Sequence, residues 1–431
     1  MSDARKYSTR GMTVHATVMG LAVVILAGTV QADGFRNPPG TAGALGDIGA
    51  RYLTEDGPEA MSYNPANLSD TKKVQSALSI LYVDSQTDYS APTGAKGSTD
   101  TDPALIPGAY IAWPINDKWV GGFGISSPFG QSTAWEKDGP FRYVAPYFAE
   151  LRTINFNPTI ATRINEQLAI GVGADIMWSD LDFRQSYPWV SVTQDPSDPD
   201  GTARIEGDGV GVGGNIGLTW TPKKGHEVAV TYLSAIEVDY EGDANFSSVP
   251  PAGKLPPPLG AIVTPRSDFD SNIEFPAIAS VSYGHQCNEK LYVGVSVEWL
   301  QFSNYDTLPV DVGNNAPLLQ VSEIPQDWDD TFTYGLGLDY AISEQLVARA
   351  GYIFLESPIP DETLAPTLPN NDQHTVTIGL GYTKDAHSFD LAYAYSFFED
   401  RDIDNNQNPA FNGSYDTDYS HLVGFTYGYT Y

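Results

Sequence analysis

The clearest pattern in the chain is an alternation of large apolar residues with small ones that runs to the last residue. Val423, Phe425, Tyr427, Tyr429 and Tyr431 occupy every second position, and glycines and threonines stand between them. Successive side chains of a β-strand point to opposite faces, so this segment is predicted to be a strand with one aromatic face.

The same alternation recurs along the chain, and counting such segments from Lys72 onward predicts fourteen strands. A soluble β-sandwich also alternates, but its strands are commonly about 5 to 6 residues long. The segments here are longer and carry aromatic residues near their ends, as the strands of transmembrane barrels do. They centre near residues 78, 109, 122, 156, 176, 213, 234, 279, 298, 335, 350, 378, 393 and 425.

The connections between these segments alternate between short turns and long loops, as expected when strands run up and down and both ends of the barrel face the periplasm. The sequence therefore predicts an all-β fold, a fourteen-stranded antiparallel transmembrane β-barrel over residues 71–431. Its small, polar and charged face is expected to line a lumen. That face includes Asp175, Glu298, Asp339, Arg349 and Asp390.

Two further segments precede the predicted barrel. Residues 1–32 have the pattern of a signal peptide, because basic residues precede an apolar run and Val30 and Ala32 fit a cleavage site. A retained membrane anchor is the alternative. Residues 33–70 do not alternate and are rich in Gly, Ala, Asn and Pro. A barrel of this size would enclose an open hole, so this segment is expected to plug it, the alternative being a flexible leader.

Composition narrows the class of protein further. The chain has a formal net charge of −31, which disfavours nucleic acid as a partner. Its 25 Tyr, 18 Phe and 8 Trp are too many for a disordered acidic chain. The single cysteine, Cys287, excludes an internal disulfide framework and a multi-cysteine metal site. No cofactor is expected.

Catalytic chemistry is not indicated by the sequence. Histidines are available, but there is no Gly-x-Ser-x-Gly elbow and no compelling arrangement of Ser, His and Asp. The acidic loop at residues 195–200 lacks the spacing of a dedicated calcium loop and is interpreted as a solvated loop. The protein is therefore predicted not to be an enzyme.

The segment before the barrel carries Gly34-Phe35, a small-residue run over 43–50, and Ser62-Tyr63-Asn64-Pro65-Ala66. It resembles the N-terminal hatch of the FadL family, transporters of long-chain fatty acids and aromatic hydrocarbons in the outer membrane of Gram-negative bacteria. The resemblance covers essentially the whole mature chain. Further matching stretches lie at 122–130, 205–217, 232–242, 328–331, 349–352, 357–360, 368–370 and 393–395.

The resemblance implies passive transport. In the family, a hydrophobic ligand is caught among extracellular loops, passes to a pocket in the barrel, and leaves sideways through a gap made by an inward kink of the third strand. It implies substrate-binding roles in the hatch and lumen for Phe35, Asn64, Pro65 and Ala66. Arg184 and Arg349 are possible partners for a ligand carboxylate.

Two further sites are predicted from residue types. Glycine and proline interrupt strand pairing, so Gly124, Pro128 and Gly130 are the candidates for the wall opening, or else ordinary residues at the start of a loop. Exposed apolar patches mark binding sites. The groove that first captures the ligand is therefore assigned to apolar residues of the long loops, namely Leu255, Leu259 and Ile262, with Trp189.

The substrate stays open at this point. Trp328 is flanked by three acids, Asp327, Asp329 and Asp330. A lumen that binds the carboxylate of a fatty acid would offer basic residues there. A neutral hydrocarbon is therefore an alternative substrate to a fatty acid. A water-filled porin and a surface adhesin are the alternative functions. The expected partners are a hydrophobic small molecule and the lipid and lipopolysaccharide of the outer membrane, around a monomer.

Overall fold

The computed structural model describes residues 34–100, 102–319 and 322–431, so the predicted signal peptide lies outside the described residues. Fourteen antiparallel strands form a closed barrel, as the alternation predicted. They are β1 Gln75–Ser90, β2 Ala104–Pro114, β3 Trp119–Ser126 with Gly130–Ala134, β4 Phe148–Asn165, β5 Leu168–Tyr187, β6 Gly201–Lys223, β7 His226–Leu233 with Ile236–Phe246, β8 Arg266–Phe275 with Ile278–Gln286, β9 Leu291–Leu300, β10 Thr331–Ala341, β11 Leu346–Leu355, β12 Gln373–Lys384, β13 His387–Phe398 and β14 Gly413–Thr430.

The barrel closes between its first and last strands. The ladder between β1 and β14 runs from Gln75 opposite Thr430 to Ser90 opposite Ser414. Six short turns join the strands at the end where the chain enters β1, and seven long loops join them at the other end. The long loops hold short elements of their own. These are the strands Lys96–Ser98, Thr307–Pro309, Glu323–Pro325 and Arg401–Ile403 and the helical turns Trp189–Thr193, Leu259–Ile262, Phe302–Asn304, Gly313–Leu318 and Pro409–Phe411.

The two faces of the wall differ as the sequence pattern indicates. On β5, Val172 and Ile176 are exposed on the outer face, whereas Asp175 and Ser179 are buried on the inner face. The outside of the barrel is thus a belt of exposed apolar side chains, and the inner face of β5 carries buried polar groups beside buried apolar ones such as Met177. No helix in the described residues is long and apolar enough to cross a membrane.

Residues 34–70, here called the hatch, fill the lumen as predicted. The hatch contains α1 (Ala42–Gly46), α2 (Arg51–Thr54) and the 3-10 helices Pro58–Ser62 and Pro65–Asp70. Its backbone packs directly on the wall: a Cβ added to Gly49 would lie 2.1 Å from the backbone nitrogen of Leu336. The resulting contacts bury much of the hatch, so it is packed structure and not a loose leader.

Three strands of the wall are interrupted. The interruption of β3 spans 127–129, close to where glycine and proline predicted it. The interruptions of β7 at 234–235 and of β8 at 276–277 were not predicted from the sequence. They lie side by side, because Leu233 pairs with Ile278 and Ile236 pairs with Phe275.

Candidate functional site

The interruption of β3 opens the ladder between β2 and β3. These strands pair only from Ala109 opposite Ile125 to Pro114 opposite Val120, so among the described residues Ala104–Gly108 of β2 is paired on its β1 side alone. Farther up, a bridge between Thr99 and Trp135 joins the two sides again. The unpaired stretch between these two points is called the wall break.

The start of the hatch lines the wall break from inside. The backbone N–H of Asn37 donates to the carbonyl of Pro128 at 2.9 Å, and that of Gly130 donates to the carbonyl of Phe35 at 2.8 Å. The Asn37 amide also donates to the carbonyl of Ser127 at 2.9 Å. Backbone groups that lost their partner in β2 are therefore satisfied by the hatch, which stabilises the kink.

A cavity of about 160 Å³ lies between the hatch and the wall break. Ile106 and Pro107 line it from β2, and Ser127 and Pro128 line it from the interrupted part of β3. An apolar part of its lining is formed by Leu45 of the hatch, Ile353 of β11 and Leu422 of β14. A cavity of about 150 Å³ with apolar walls holds a benzene molecule, so this one has the volume of a single aromatic ring.

One side of the cavity is polar. Asn155 and Asn157 of β4, Asp175 of β5 and Asn215 of β6 line it together. The three amides donate to the Asp175 carboxylate at 2.6, 3.0 and 2.8 Å respectively. The sequence pattern placed Asp175 on the lumen face but did not identify the three asparagines, although Asn155 and Asn157 are two residues apart and therefore share a face of their strand.

The two arginines of the cavity are held by one buried acid. Arg36 lies 2.5 Å from the Glu298 carboxylate, Arg51 bonds to the other oxygen of the same carboxylate, and the Tyr52 hydroxyl donates to it at 2.9 Å. Paired charges of this kind are costly to separate when buried. Neither cation is therefore available for an anionic ligand without breaking this pairing.

Above the cavity, Phe35 is enclosed by aromatic side chains. The centroids of Phe129, Phe275, Phe302, Tyr305 and Trp328 lie 5.1 to 6.2 Å from the Phe35 centroid, and all these rings are buried. This group of five rings is called the aromatic cage. Phe35 thus occupies an apolar compartment between the long loops and the cavity.

The Asn-Pro-Ala corner fixes the hatch to the wall. The Asn64 amide donates to the Thr219 hydroxyl at 2.8 Å and to the Tyr52 carbonyl at 3.0 Å, and its side-chain oxygen accepts from the Ala66 N–H. Of the three corner residues, only Pro65 lines the cavity. Asn64 and Ala66 therefore position the hatch and do not face the candidate ligand space.

The two predicted carboxylate partners lie elsewhere. Arg184 is an even number of residues from Ile176 on β5, so its side chain lies on the same outward face. It forms a salt bridge with Asp182 at 2.5 Å and stacks on the Phe148 ring. It is outside the barrel, so its assignment to the lumen was wrong. Arg349 does face inward, but it bonds to Asp390 at 2.5 Å beneath α1 and does not line the cavity.

The predicted capture residues are mostly shielded. Trp189 is fully buried and Leu255 is 6% exposed, whereas Leu259 and Ile262 are half-buried. Both buried residues belong to a cluster that the long loops form with the neighbouring ends of the barrel strands. The expectation that Trp189 and Leu255 face water was wrong, because the loops bury their apolar residues against one another.

The three predicted residues of the wall opening have different positions. Pro128 lies in the break and lines the cavity, and Gly130 begins the second part of β3. Gly124 is below the break, still paired with Tyr110, and a Cβ there would lie 2.8 Å from the sulfur of Met61. Gly124 therefore makes room for the hatch, and its assignment to the opening was wrong.

The lower part of the hatch is strongly acidic. Burial raises the pKa of Asp47 and of Glu55 well above their ordinary values, and it raises the pKa of Glu59 to about 7. The positive charge of Arg349 acts against this rise in pKa at all three acids. The plug thus carries several carboxyl groups with raised pKa values, and the pKa of Glu59 is about 7.

Comparisons with known proteins agree with this geometry. A family model described as "Outer membrane protein transport protein (OMPP1/FadL/TodX)" matches residues 23–431. A long-chain fatty acid transport protein of Salmonella typhi is 23% identical over 403 residues, covering 88% of this chain and 91% of that protein. The structure is similar to that of a Pseudomonas aeruginosa FadL homologue, with TM-score 0.80, 21% identity and coverage of 92% and 99%. It is also similar to that of the Ralstonia pickettii toluene transporter TbuX, with TM-score 0.67, 18% identity and coverage of 93% and 99%.

Proposed function

Because this chain belongs to the OMPP1/FadL/TodX family of outer-membrane transport proteins, we propose that it releases small hydrophobic molecules sideways, through the wall break, into the outer membrane. As a family member it is a transporter of hydrophobic compounds in a Gram-negative outer membrane and not an enzyme. The observation that carries the proposal is the cavity lined by both edges of the wall break, Pro107 on β2 and Pro128 on β3.

The proposed route has three compartments. A ligand collects among the long loops near Leu259 and Ile262, displaces Phe35 from the aromatic cage, and reaches the cavity below. Apolar surroundings favour each step, since each CH₂ removed from water contributes about 0.8 kcal/mol. Sideways release keeps the molecule out of water, so the passage needs no energy source.

We infer that the preferred ligand is neutral and the size of one aromatic ring. The cavity of about 160 Å³ suits such a ring. A carboxylate would meet Asp175, and Arg36 and Arg51 are bonded to Glu298. Relatives bear the names of both long-chain fatty acid and toluene transporters, and the charge of this lumen favours the second class.

We also propose that residues 1–32 act as a signal peptide, 33–70 as the hatch and 71–431 as the barrel of a monomer. The apolar belt faces lipid and, on the outer side, lipopolysaccharide. A water-filled porin is disfavoured because the hatch fills the lumen, and no observation favours an adhesin.

The proposal is tested by uptake in cells that lack their own transporters of this kind. Cells that make the protein should take up radiolabelled toluene faster than cells with the empty vector, whereas uptake of a radiolabelled sugar should not change. Faster sugar uptake without faster toluene uptake would identify a porin instead.

A further inference from the structure

The polar side of the cavity carries buried hydrogen-bond acceptors without a partner among the described residues. The amides of Asn155, Asn157 and Asn215 each donate to the Asp175 carboxylate, and the Asn157 amide also donates to the Ala174 carbonyl at 3.0 Å. Among the described residues, the side-chain oxygens of Asn155 and Asn215 are buried and have no hydrogen-bond partner. Asn155 is 7% and Asp175 is 2% exposed.

The packing of these polar side chains depends on a glycine in the wall. Gly173 lies between the amides, and a Cβ there would come within 2.7 Å of the Asn157 amide nitrogen and 2.8 Å of the Asn215 oxygen. A side chain at this position would therefore displace the cluster. Asn155 is also the partner of Ser126, the last residue of β3 before the wall break.

A ligand that leaves these oxygens unpaired loses affinity, because buried acceptors without a partner are costly. A pure hydrocarbon leaves them unpaired. A carboxylate adds a second negative charge beside Asp175 and brings only acceptors at neutral pH. A hydroxyl group brings the missing donor, and an aromatic alcohol has the size of the cavity.

We propose that Asp175, Asn155 and Asn215 form an acceptor site that binds the hydroxyl group of a phenol at the inner mouth of the wall break. This inference rests on the proposed function and narrows it to a substrate class, neutral aromatics with a hydrogen-bond donor. The ring lies against the apolar side of the cavity, and the hydroxyl points to the wall between β4 and β6.

The test uses three probes with the same methylated ring, namely toluene, p-cresol and 4-methylbenzoate. Their dissociation constants are measured by equilibrium dialysis against the intact protein in detergent. Asn155→Leu removes one free acceptor and leaves Asn157 bonded to the same oxygen of Asp175. Asn215→Leu removes the other acceptor from a different strand, should the first variant fail to assemble.

Thr375→Val is the matched control. Thr375 lines the same cavity, but its hydroxyl is already bonded to Gln373 and Ser396 at 2.9 and 2.8 Å. We expect each Asn→Leu variant to bind p-cresol about tenfold more weakly, the usual effect of one hydrogen bond, with toluene affinity unchanged or higher. The control should preserve the preference for p-cresol, and wild-type protein should bind 4-methylbenzoate the least.

Parallel losses for p-cresol and toluene, or no loss for either, would overturn the acceptor site. Competition between Ca²⁺ and p-cresol that disappears in Asn155→Leu would assign the oxygens to a cation, and would overturn it too. If wild-type protein carries toluene but does not discriminate p-cresol, only this inference fails. If it carries and binds neither compound, the proposed function fails as well.

Discussion

The backbone of Pro65 in the hatch lies directly on Gly171 in the wall, where a Cβ would stand 2.3 Å from the Pro65 carbonyl carbon. Glycine at this position therefore leaves room for the hatch backbone, whereas the side chain of any other residue would overlap it. The same is true of Gly217, where a Cβ would stand 2.1 Å from the Asn64 side-chain oxygen. The hatch is fixed by shape at this corner as well as by hydrogen bonds.

Replacing Gly171 by Val should dislodge the hatch without preventing assembly of the barrel. The added side chain overlaps the Pro65 backbone, which cannot move aside as a flexible side chain would. We expect ion conductance in planar bilayers to rise severalfold. Gly214→Ala is the control, because a Cβ there meets only the Gly173 carbonyl oxygen, at 3.3 Å. Unchanged conductance in a well-assembled Gly171→Val barrel would mean that this contact does not hold the hatch.

Phe35→Ala should empty the aromatic cage and let a ligand take the place of the ring. Truncating a buried Phe costs about 3–5 kcal/mol and leaves a ring-sized space. Equilibrium dialysis should then detect one additional bound toluene molecule. Phe411→Ala removes a half-buried ring in the loop between β13 and β14 and should bind no extra toluene. An unchanged stoichiometry in Phe35→Ala would indicate that the cage collapses.

The raised pKa of Glu59 predicts a hatch that is tighter at low pH. Burial favours the neutral acid, so protonation stabilises the docked hatch. This contribution is complete below the ordinary value of 4.5 and is lost as the pH rises through about 7. The pKa values of the buried acids Asp47 and Glu55 shift in the same direction. The charged groups that face them from the wall are Asp339, Asp390 and Arg349.

Leak conductance should therefore increase between pH 5 and pH 7.5 at constant salt. Glu59→Gln, which cannot ionise, should lower the leak at pH 7.5 and flatten the pH response. Asp117→Asn, in the exposed turn between β2 and β3, should keep the wild-type response. An identical pH response in Glu59→Gln would show that other groups control the leak.

The fourteen strands could be predicted because alternation is a local property of the sequence. The error at Arg184 was avoidable by the same rule, since its even position on β5 assigns it to the face of Ile176 and not to that of Asp175. The interruption of β8 also had a signal, Pro276, because proline interrupts strand pairing.

The acceptor site could not be predicted. Asn155, Asp175 and Asn215 come from three strands, and they meet only because the register places Asn215 opposite Gly173, beside Asp175. The burial of Trp189 and Leu255 was equally hidden, because it depends on contacts between loops far apart in the sequence. Pairing register and packing between loops are non-local, and one sequence does not specify them by pattern.

The claim of sideways release is tested most directly at Pro107, which lines the cavity from the unpaired stretch of β2. Pro107 lies on the outward face of β2, as Ile111 does, so Pro107→Trp places a large ring over the outer mouth of the wall break. Ala109→Trp places the same ring two residues along the same face, where β2 is paired with β3. Toluene uptake by cells should fall at least tenfold in Pro107→Trp and stay near the wild-type rate in Ala109→Trp. Both variants should show the same shift between heated and unheated samples on detergent gels, which verifies assembly. Undiminished uptake by an assembled Pro107→Trp barrel would contradict release through the wall break and direct the search to a path through the hatch.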